Sequence, residues 1–307
     1  MIVTLQRTSS ADVVGELVNL REEGGAAALG RVMTLVIISS GGDIEPALEA
    51  ANQASREHPS RVVVIEPQEG DGEPRLDAEI RIGGDAGAAE VVILRPLGAT
   101  RESMDTLITP LLLPDTPLVA WWPKDSPTDL AGDPLGRLAQ RRISDVGEVS
   151  DPIGRLQALR EHYAPGDTDL SWARTTLWRG LSAGVVEADP TTPITEVLVQ
   201  GNTDRPSTHL LAAWFADRLQ CAAQVEHDSD ASVITGVELH RPTGVIRMRR
   251  PEGSGVVTIR TDSGPPRQVA MAKRPLQDSL MEDLRHLDPD EIYGRALVHG
   301  LSGVAVR

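Results

Sequence analysis

Cysteine is almost absent from this 307-residue sequence, since Cys221 is the only one. An intramolecular disulfide is therefore excluded, and so is a redox switch between two thiols of one chain. The sequence also lacks the cysteine and histidine spacings that are typical of metal sites. We expect no metal and no bound cofactor, and a reducing cytoplasm as the simplest location.

Long apolar runs and a surplus of cations are absent as well. The first 14 residues lack the apolar core of a signal peptide, and no apolar run approaches the roughly 18 residues of a membrane helix. Lys and Arg number 30 against 45 Asp and Glu, which gives a net charge of −15. Binding to nucleic acid or to an anionic membrane needs a surplus of cations. We expect a soluble protein with neither of these partners.

Aromatic residues make up only 3% of the chain, whereas hydrophobic residues make up 40%. The core must therefore consist mostly of aliphatic side chains, as in α/β proteins. The length suggests two domains. We predict an N-terminal α/β domain over 1–148, a helical hairpin connector over 149–190, and a C-terminal α+β domain with an antiparallel sheet over 191–307.

The N-terminal part shows alternating strand and helix patterns. Two apolar runs, Val32–Ile38 and Val62–Ile65, flank a predicted helix at Asp43–Glu57, which indicates a βαβ unit with parallel strands. Leu76–Ile82 alternates apolar and charged residues, as a strand with one solvated face near a sheet edge does. We predict an open, mostly parallel sheet with flanking helices. Its other strands are Val91–Leu94, Leu118–Trp122 and a short one at Arg142–Ser144.

The C-terminal part has a different order of patterns. A strand at Ile194–Val199 and a helix at Pro206–Leu219 precede four or five strand-length segments between Ala222 and Met271. Two helical patterns follow, at Leu276–Leu287 and Asp288–His299. This order predicts an α+β domain.

The segment from Leu111 to Asp145 has the densest apolar, aromatic and charged signals of the chain. An apolar run ends in two adjacent tryptophans, and a short helix beginning at Asp133 is predicted to place two arginines at its end. Trp and Arg are enriched at the energetic centres of protein interfaces. We predict a partner-binding site made of Trp121, Trp122, Arg137, Arg141 and Arg142. The alternative is that one Trp is in the core, the other covers a sheet edge, and the arginines are solvated.

Neither a dinucleotide-binding nor a P-loop glycine motif occurs in the sequence. The glycine turn that follows the first predicted strand of the βαβ unit, Gly41-Gly42, is followed by Asp43 and Glu45, which would repel a phosphate. A nucleotide site there is disfavoured. Asp43 is better interpreted as a cap of the next helix.

Three other patterns contain residue types that can take part in catalysis or anion binding. Gly180–Gly184 matches the nucleophile elbow G-x-S-x-G but lies at the end of a helical pattern without a preceding strand, so we interpret it as structural. His58 is predicted on the side of the sheet away from the crevice, at a helix end. Arg247 and Arg249 share one strand face, with Arg250 on the other, and could bind a carboxylate or phosphate. A solvated strand face is favoured.

Several unusual sequence motifs occur in a fixed order along the chain: EAANQASREHPSR at Glu49–Arg61, RLDAEIRIGGDAGAAEVVILR at Arg75–Arg95, LLLPDTPLVAWWP, DPLGRLAQRRISD, and APGDTDLSWARTTLWRGL at Ala164–Leu181. Together they resemble the OpcA family, the glucose-6-phosphate dehydrogenase assembly proteins. The resemblance implies a non-catalytic partner that promotes the assembled or active state of that enzyme, and so supports the oxidative pentose phosphate pathway and NADPH supply. The photosynthetic branch of the family is associated with thiol-dependent regulation, and the single Cys221 departs from it.

Two alternatives from other classes stay open at this point. One is an enzyme of carbohydrate metabolism that acts on a sugar phosphate, and the other is a module that only binds one. An enzyme should show convergent acid and base groups at the carboxyl ends of the strands. An assembly factor should instead show an exposed apolar and aromatic patch.

Overall fold

The computed structural model describes residues 1–24, 32–39, 41–70, 72–83, 90–98, 103–262 and 264–307. The chain forms two compact units: unit 1 is Met1–Asp145 with Leu276–Pro289, and unit 2 is Val146–Pro275 with Asp290–Arg307. The strands of the described residues are β1 (Ile2–Thr8), β2 (Met33–Ile38), β3 (Ser60–Ile65), β4 (Arg75–Arg81), β5 (Glu90–Leu97), β6 (Leu118–Trp122), β7 (Arg141–Ser144), β8 (Asp167–Asp169), β9 (Glu196–Gly201), β10 (Ala222–His227), β11 (Ile234–Arg241), β12 (Gly244–Arg249), β13 (Val256–Arg260), β14 (Arg267–Ala270) and β15 (Val304–Val306). The α-helices are α1 (Ser10–Gly24), α2 (Glu45–Ala54), α3 (Met104–Ile108), α4 (Pro134–Leu138), α5 (Pro152–Glu161), α6 (Leu170–Ala173), α7 (Thr176–Glu187), α8 (Pro206–Leu219), α9 (Leu276–Leu284) and α10 (Glu291–Arg295).

The sheet of unit 1 has the expected open and mostly parallel architecture. Its strands run in the order β1-β4-β5-β3-β2-β6-β7, and β5, β3, β2, β6 and β7 are mutually parallel. Numbered along the chain, these five strands have the spatial order 3-2-1-4-5, which is the order of the Rossmann fold. After β2 the chain adds β3 and β5 on one side of β2, and then β6 and β7 on its other side, so the strand order reverses between β2 and β6. A ligand crevice in such a sheet lies at this point, outside the carboxyl ends of the strands.

Burial in unit 1 follows the sequence pattern. The side chains of β3 are all buried, as expected of a strand covered on both faces. In β4, Leu76, Ala78 and Ile80 are buried, while the charged residues between them are partly exposed. β4 lies next to the edge strand β1, so the predicted solvated strand near a sheet edge is confirmed.

Unit 1 also has features that the sequence patterns missed. The edge strand β1 pairs antiparallel with β4, although its residues are mostly exposed and polar. The helix α1 begins at Ser10, and the side chain of the preceding residue, Ser9, accepts a hydrogen bond from the Asp12 amide at 3.2 Å. The sequence pattern predicts a helix at 101–108; residues 101 and 102 lie outside the described part, and α3 begins at Met104 after the cap residue Ser103. The segment Leu276–Pro289, with α9, belongs to unit 1.

Unit 2 is built on a mixed sheet with the strand order β14-β13-β12-β11-β9-β10-β15. The expected antiparallel arrangement holds for β11 to β14, but β9, β10 and β15 pair in parallel, which corrects the prediction of an antiparallel sheet. The parallel pair arises because α8 connects β9 to β10 as a crossover helix. Trp178, Phe215, Val237 and Met248 are among the side chains of its core. The division into domains at residues 148 and 190 stays a prediction.

Candidate functional site

The two tryptophans of the predicted partner site lie inside the protein. Trp121 and Trp122 end β6 and are 0% and 3% exposed. β6 is flanked by β2 on one side and by β7 on the other, so neither indole covers a sheet edge. The side chains of this pair therefore belong to the core.

Two of the three arginines of that site are also buried, and they lie in β7 rather than at the end of a helix. The helix α4 stops because Ala139 is extended, and the Gln140 amide donates to the Leu118 carbonyl at 3.0 Å. This bond starts the pairing of β7 with β6. Arg141 forms an ion pair with Asp283 at 2.9 Å, and Arg142 donates to the Ala139 carbonyl at 2.8 Å.

Arg137 differs from these four residues because its side chain is exposed on α4. Asp133 caps this short helix by accepting hydrogen bonds from the amides of Leu135 and Gly136. Leu138, which follows Arg137, is 41% exposed. Within the predicted site, Arg137 is thus the residue whose side chain is available to a partner.

The glycine turn at the crevice of unit 1 has the backbone of a tight turn but not the residues of a phosphate cradle. Gly41 and Gly42 have φ values of 107° and 87°. The Asp43 carboxylate accepts from the Glu45 amide at 3.0 Å, at the start of α2. The cap position of α2 is Ile44, which makes no side-chain capping bond, so Asp43 lies one residue before the predicted place and bonds only the first helical amide. Asp43 also places a negative charge where a dinucleotide fold binds its pyrophosphate.

A chain of ion pairs connects the strand ends beside this turn. Arg95 joins Glu66 at 2.8 Å to Glu79 at 3.0 Å. Arg81 then joins Glu79 at 2.7 Å to Glu45 at 3.0 Å. Glu66 directly follows β3, where a dinucleotide-binding protein places the acidic residue that binds the ribose. Here that carboxylate is already paired with Arg95.

This ion network lowers the pKa of Glu79. Burial raises that pKa, but the hydrogen bonds and positive charges of Arg81 and Arg95 together outweigh burial. The carboxylate form is therefore stabilised in the folded protein. The network is a structural connection between β3, β4, β5 and α2, and it has no free acid and base pair for catalysis.

Changing Glu79 to Gln should lower the free energy of unfolding by about 1 kcal/mol at pH 7, because two arginines lose a common carboxylate. The pKa of Glu79 is lower in the folded protein than its ordinary value of 4.5, so its carboxylate stabilises the folded state above about pH 4.5. This contribution is lost as the pH falls through the folded pKa. Urea unfolding at pH 7 and at pH 3.5 should therefore show a smaller difference between variant and parent at the lower pH. The exposed Glu49 of α2, changed to Gln, is the control. An equal difference at both pH values would contradict the assignment.

The serine motif of α7 and His58 have structural surroundings. The motif Gly180–Gly184 lies inside α7, which continues to Glu187, so Gly184 does not end the helix as predicted. Ser182 is fully buried there, and its hydroxyl has no hydrogen-bond partner among the described residues. The Nε2 atom of His58 is likewise buried without a partner in the described part of the chain. Within those same residues, no group of three His, Cys, Asp or Glu side chains could hold a metal ion.

The remaining predicted cationic pattern lies at the end of β12. Arg247 and Arg249 are exposed, and Arg249 donates to Gln200 of β9. This agrees with the solvated strand face. Arg250 faces the other way and is buried.

Burial also raises the pKa of the single thiol, Cys221, which makes its reactive thiolate form scarcer.

These observations define a class: a two-unit, mixed α/β chain with a Rossmann-like strand order and without the glycine fingerprint of dinucleotide binding. Two family models match the chain. The glucose-6-phosphate dehydrogenase subunit N-terminal domain matches residues 51–161, and the corresponding C-terminal domain matches residues 165–297. The chain belongs to the OpcA family, the glucose-6-phosphate dehydrogenase assembly proteins.

A curated relative agrees with this family. The putative OxPP cycle protein OpcA of Synechococcus elongatus is 29% identical over 141 residues, which are 42% of this chain. The match covers 31% of the relative, so the chain corresponds to about a third of that protein's length.

Two of the solved structures that align with this chain are oxidoreductases of low sequence identity. A probable oxidoreductase, yhhX, aligns with a TM-score of 0.50 and 9% identity, over 88% of this chain and 95% of that one. A 3-ketoreductase from Actinomadura kijaniata in complex with NADP gives a TM-score of 0.47 and 11% identity, over 89% and 98% of the two chains. The similarity to yhhX shows the fold alone.

None of the described helices combines the length and the apolar character that crossing a membrane requires.

Proposed function

We propose that this chain is a non-catalytic assembly factor that binds glucose-6-phosphate dehydrogenase and promotes its assembled or active state. In this role it supports the oxidative pentose phosphate pathway and NADPH supply in the cytoplasm. The observation that carries the proposal is the match of residues 51–161 and 165–297 to domains described as parts of a glucose-6-phosphate dehydrogenase subunit.

The crevice of unit 1 supports a non-catalytic role. The fold is one that binds dinucleotides in other proteins, but its glycine turn leads into Asp43 and Glu45, and Glu66 is paired with Arg95. A pyrophosphate would meet negative charge at the turn, and a ribose would compete with an arginine for its carboxylate. These residues do not fit a nicotinamide dinucleotide. The redox chemistry would therefore stay on the dehydrogenase.

An assembly factor of this kind acts through differential binding. A protein shifts a partner's equilibrium only by as much as its affinity differs between the partner's two states. By this mechanism, the chain binds the assembled or high-affinity state of the dehydrogenase more tightly. Its effect on the rate saturates when every dehydrogenase subunit is occupied.

Titration of the purified chain into its cognate glucose-6-phosphate dehydrogenase tests the proposal. Initial rates should rise to a plateau, and the chain alone should show no dehydrogenase activity. Rates at low and at saturating substrate separate an effect on KM from one on kcat. No change in rate, together with no joint elution on size exclusion, would overturn the proposal.

The same titration tests the predicted partner site. Because Arg137 is its exposed side chain, reversing that charge with Arg137→Glu should weaken the association without unfolding unit 1. Arg155→Glu on α5 is a control variant with a charge change of the same sign. An affinity of Arg137→Glu equal to that of the parent would remove this segment from the interface while leaving the association itself intact.

A further inference from the structure

The seven-stranded sheet of unit 2 has a covered face and an open face. Side chains alternate between the two faces of a strand. Val197, Val237 and Met248 belong to one face and pack in a core with Trp178 of α7 and Phe215 of α8. The residues between them form the opposite face, which we call the open face. Its acidic and arginine residues are Glu196, Glu226, Glu238, Arg247, Arg249 and Arg260.

The acidic and basic residues of the open face lie on different strands. β11 is the central strand, with β9 and β10 on one side and β12 and β13 on the other. Glu196 and Glu226 belong to β9 and β10, whereas Arg247 and Arg260 belong to β12 and β13. The open face is therefore acidic on one side of β11 and basic on the other.

The two carboxylates of the acidic side have only neutral partners in the described chain. Glu226 accepts a hydrogen bond from the amide nitrogen of Gln200 at 2.6 Å, and Glu196 accepts one from that of Gln224 at 2.9 Å. Among the residues that the structure describes, neither carboxylate forms an ion pair. Both remain available to a cation of another molecule.

The basic side contains two like charges next to each other. Arg247 and Arg260 lie directly opposite on neighbouring strands, an arrangement that is destabilising for residues of equal charge. Arg247 is 3.8 Å from Glu238 and 3.5 Å from Asp262. Arg260 is exposed and forms no ion pair within the described residues. A carboxylate of another molecule beside Arg260 would reduce this repulsion.

The centre of the open face is flat. Gly236 of β11 has no side chain, and a Cβ atom there would lie 2.9 Å from the Cδ atom of Arg249. The Arg249 side chain therefore lies across β11, where it donates to Gln200 of β9. No bulky side chain of β11 separates the two sides at this point, so another flat surface can approach closely.

We propose that the open face is the contact surface between two copies of this chain. A twofold axis that runs along β11, in the plane of contact, places β9 and β10 of each copy over β12 and β13 of the other. The acidic side of one copy then faces the basic side of its partner, twice in each dimer. A twofold axis across the strands would instead place like charges over each other. Two aligned sheets pack at about 30°, which is compatible with the first orientation.

The central strand meets its own copy in this dimer, so Glu238 approaches a second Glu238. Arg247 lies within ion-pair distance of Glu238 in the same chain. The guanidinium of Arg249 lies over the same strand. These two arginines offset the repulsion between the Glu238 carboxylates.

The size of the open face sets the expected affinity. Seven strands about 4.8 Å apart and about 20 Å long give a face of roughly 600 Å² per copy. The sum for two copies, about 1,200 Å², is at the lower end of specific protein interfaces. We expect a dimer that dissociates in the micromolar range.

Sedimentation velocity of the full chain over the micromolar range tests the proposal without any partner protein. The parent should change from monomer to dimer as its concentration rises. The dissociation constant should increase with the sodium chloride concentration, because salt screens the charges that meet across the interface.

Charge reversals locate the contact. Glu226→Arg and Arg260→Glu should each raise the dissociation constant at least about tenfold, because either change places two pairs of like charges in the dimer. An equimolar mixture of the two variants should regain the affinity of the parent, since every changed residue then faces an opposite charge. This recovery also shows that both variants are folded. Glu187→Arg reverses an exposed charge on α7, which packs on the covered face, and should leave the affinity unchanged.

Three results would contradict the proposal: a parent that stays monomeric throughout, equal dissociation constants for the parent and both open-face variants, or a mixture as weak as its components. If the parent stayed monomeric and Glu226→Arg lost association with glucose-6-phosphate dehydrogenase, the open face would belong to that enzyme instead. The sedimentation experiment contains no dehydrogenase, so its outcome is separate from that of the proposed assembly function.

Discussion

Replacing Trp121 by alanine is expected to lower the free energy of unfolding by about 3 to 5 kcal/mol. The indole is fully buried at the end of β6, between β2 and β7. Truncation to a methyl group removes its apolar contacts and leaves a cavity that the paired strands cannot close. Urea unfolding followed by far-UV circular dichroism measures the loss.

Trp121→Phe is the matched control for this prediction. The indole Nε1 atom is buried without a hydrogen-bond partner among the described residues, so phenylalanine loses no hydrogen bond there. The smaller change in volume should cost about 1 kcal/mol. If Trp121→Ala were as stable as Trp121→Phe, the indole could not be a core side chain, and the prediction of an exposed anchor would regain support.

Arg141→Ala is the second substitution with a large expected effect, about 3 to 5 kcal/mol of lost stability. Arg141 and Asp283 form an ion pair at 2.9 Å, and both side chains are almost fully buried. Arg141 also donates to the Asp288 carbonyl at 3.0 Å. Removing the guanidinium leaves the Asp283 carboxylate buried without this partner, which is the main source of the loss.

Two further variants make the second prediction specific. Arg137→Ala, four residues earlier and exposed, should change the free energy of unfolding by less than about 0.5 kcal/mol. Asp283→Asn combined with Arg141→Leu should lose less than Arg141→Ala alone, because the buried carboxylate is removed together with the guanidinium. Equal losses for Arg137→Ala and Arg141→Ala would show that the buried pair contributes no special stability.

These two predictions affect how the partner site can be tested. A weaker association of Trp121 or Arg141 variants with a partner would follow from loss of the fold and would not identify a contact. Arg137 avoids this ambiguity because its side chain is exposed and α4 is capped by Asp133. The partner experiment therefore depends on Arg137.

Much of the fold could be predicted because burial leaves a strong signal in the sequence. Leu118–Trp122 was predicted as a strand with the observed bounds, and Pro206–Leu219 as a helix with the observed bounds. Continuous apolar runs and prolines at helix starts are local properties of the chain. The alternation of strand and helix patterns predicted the mostly parallel sheet. The fixed order of several sequence motifs indicated the OpcA family.

The burial of four residues of the predicted site could not be predicted from the sequence, because a side chain's exposure depends on its neighbours in space. Trp and Arg are enriched at interfaces, but the same residues fill cores when another strand covers them. The pairing of β7 with β6 buries Trp121, and Asp283, which is 142 residues from Arg141 in the sequence, neutralises that arginine. No local pattern could show either contact.

The sequence by itself determined the class of fold, the positions of most strands and helices, the missing dinucleotide fingerprint and the family. These follow from residue types and their spacing along the chain. Only the tertiary structure decided which strand forms the edge, which cations are buried, and that Glu66 and Glu79 share Arg95. It also decided that Arg250 turns inward while Arg249 remains exposed. The physical reason is that pairing and burial are made between residues far apart in sequence, and charges become costly only where such contacts exclude water.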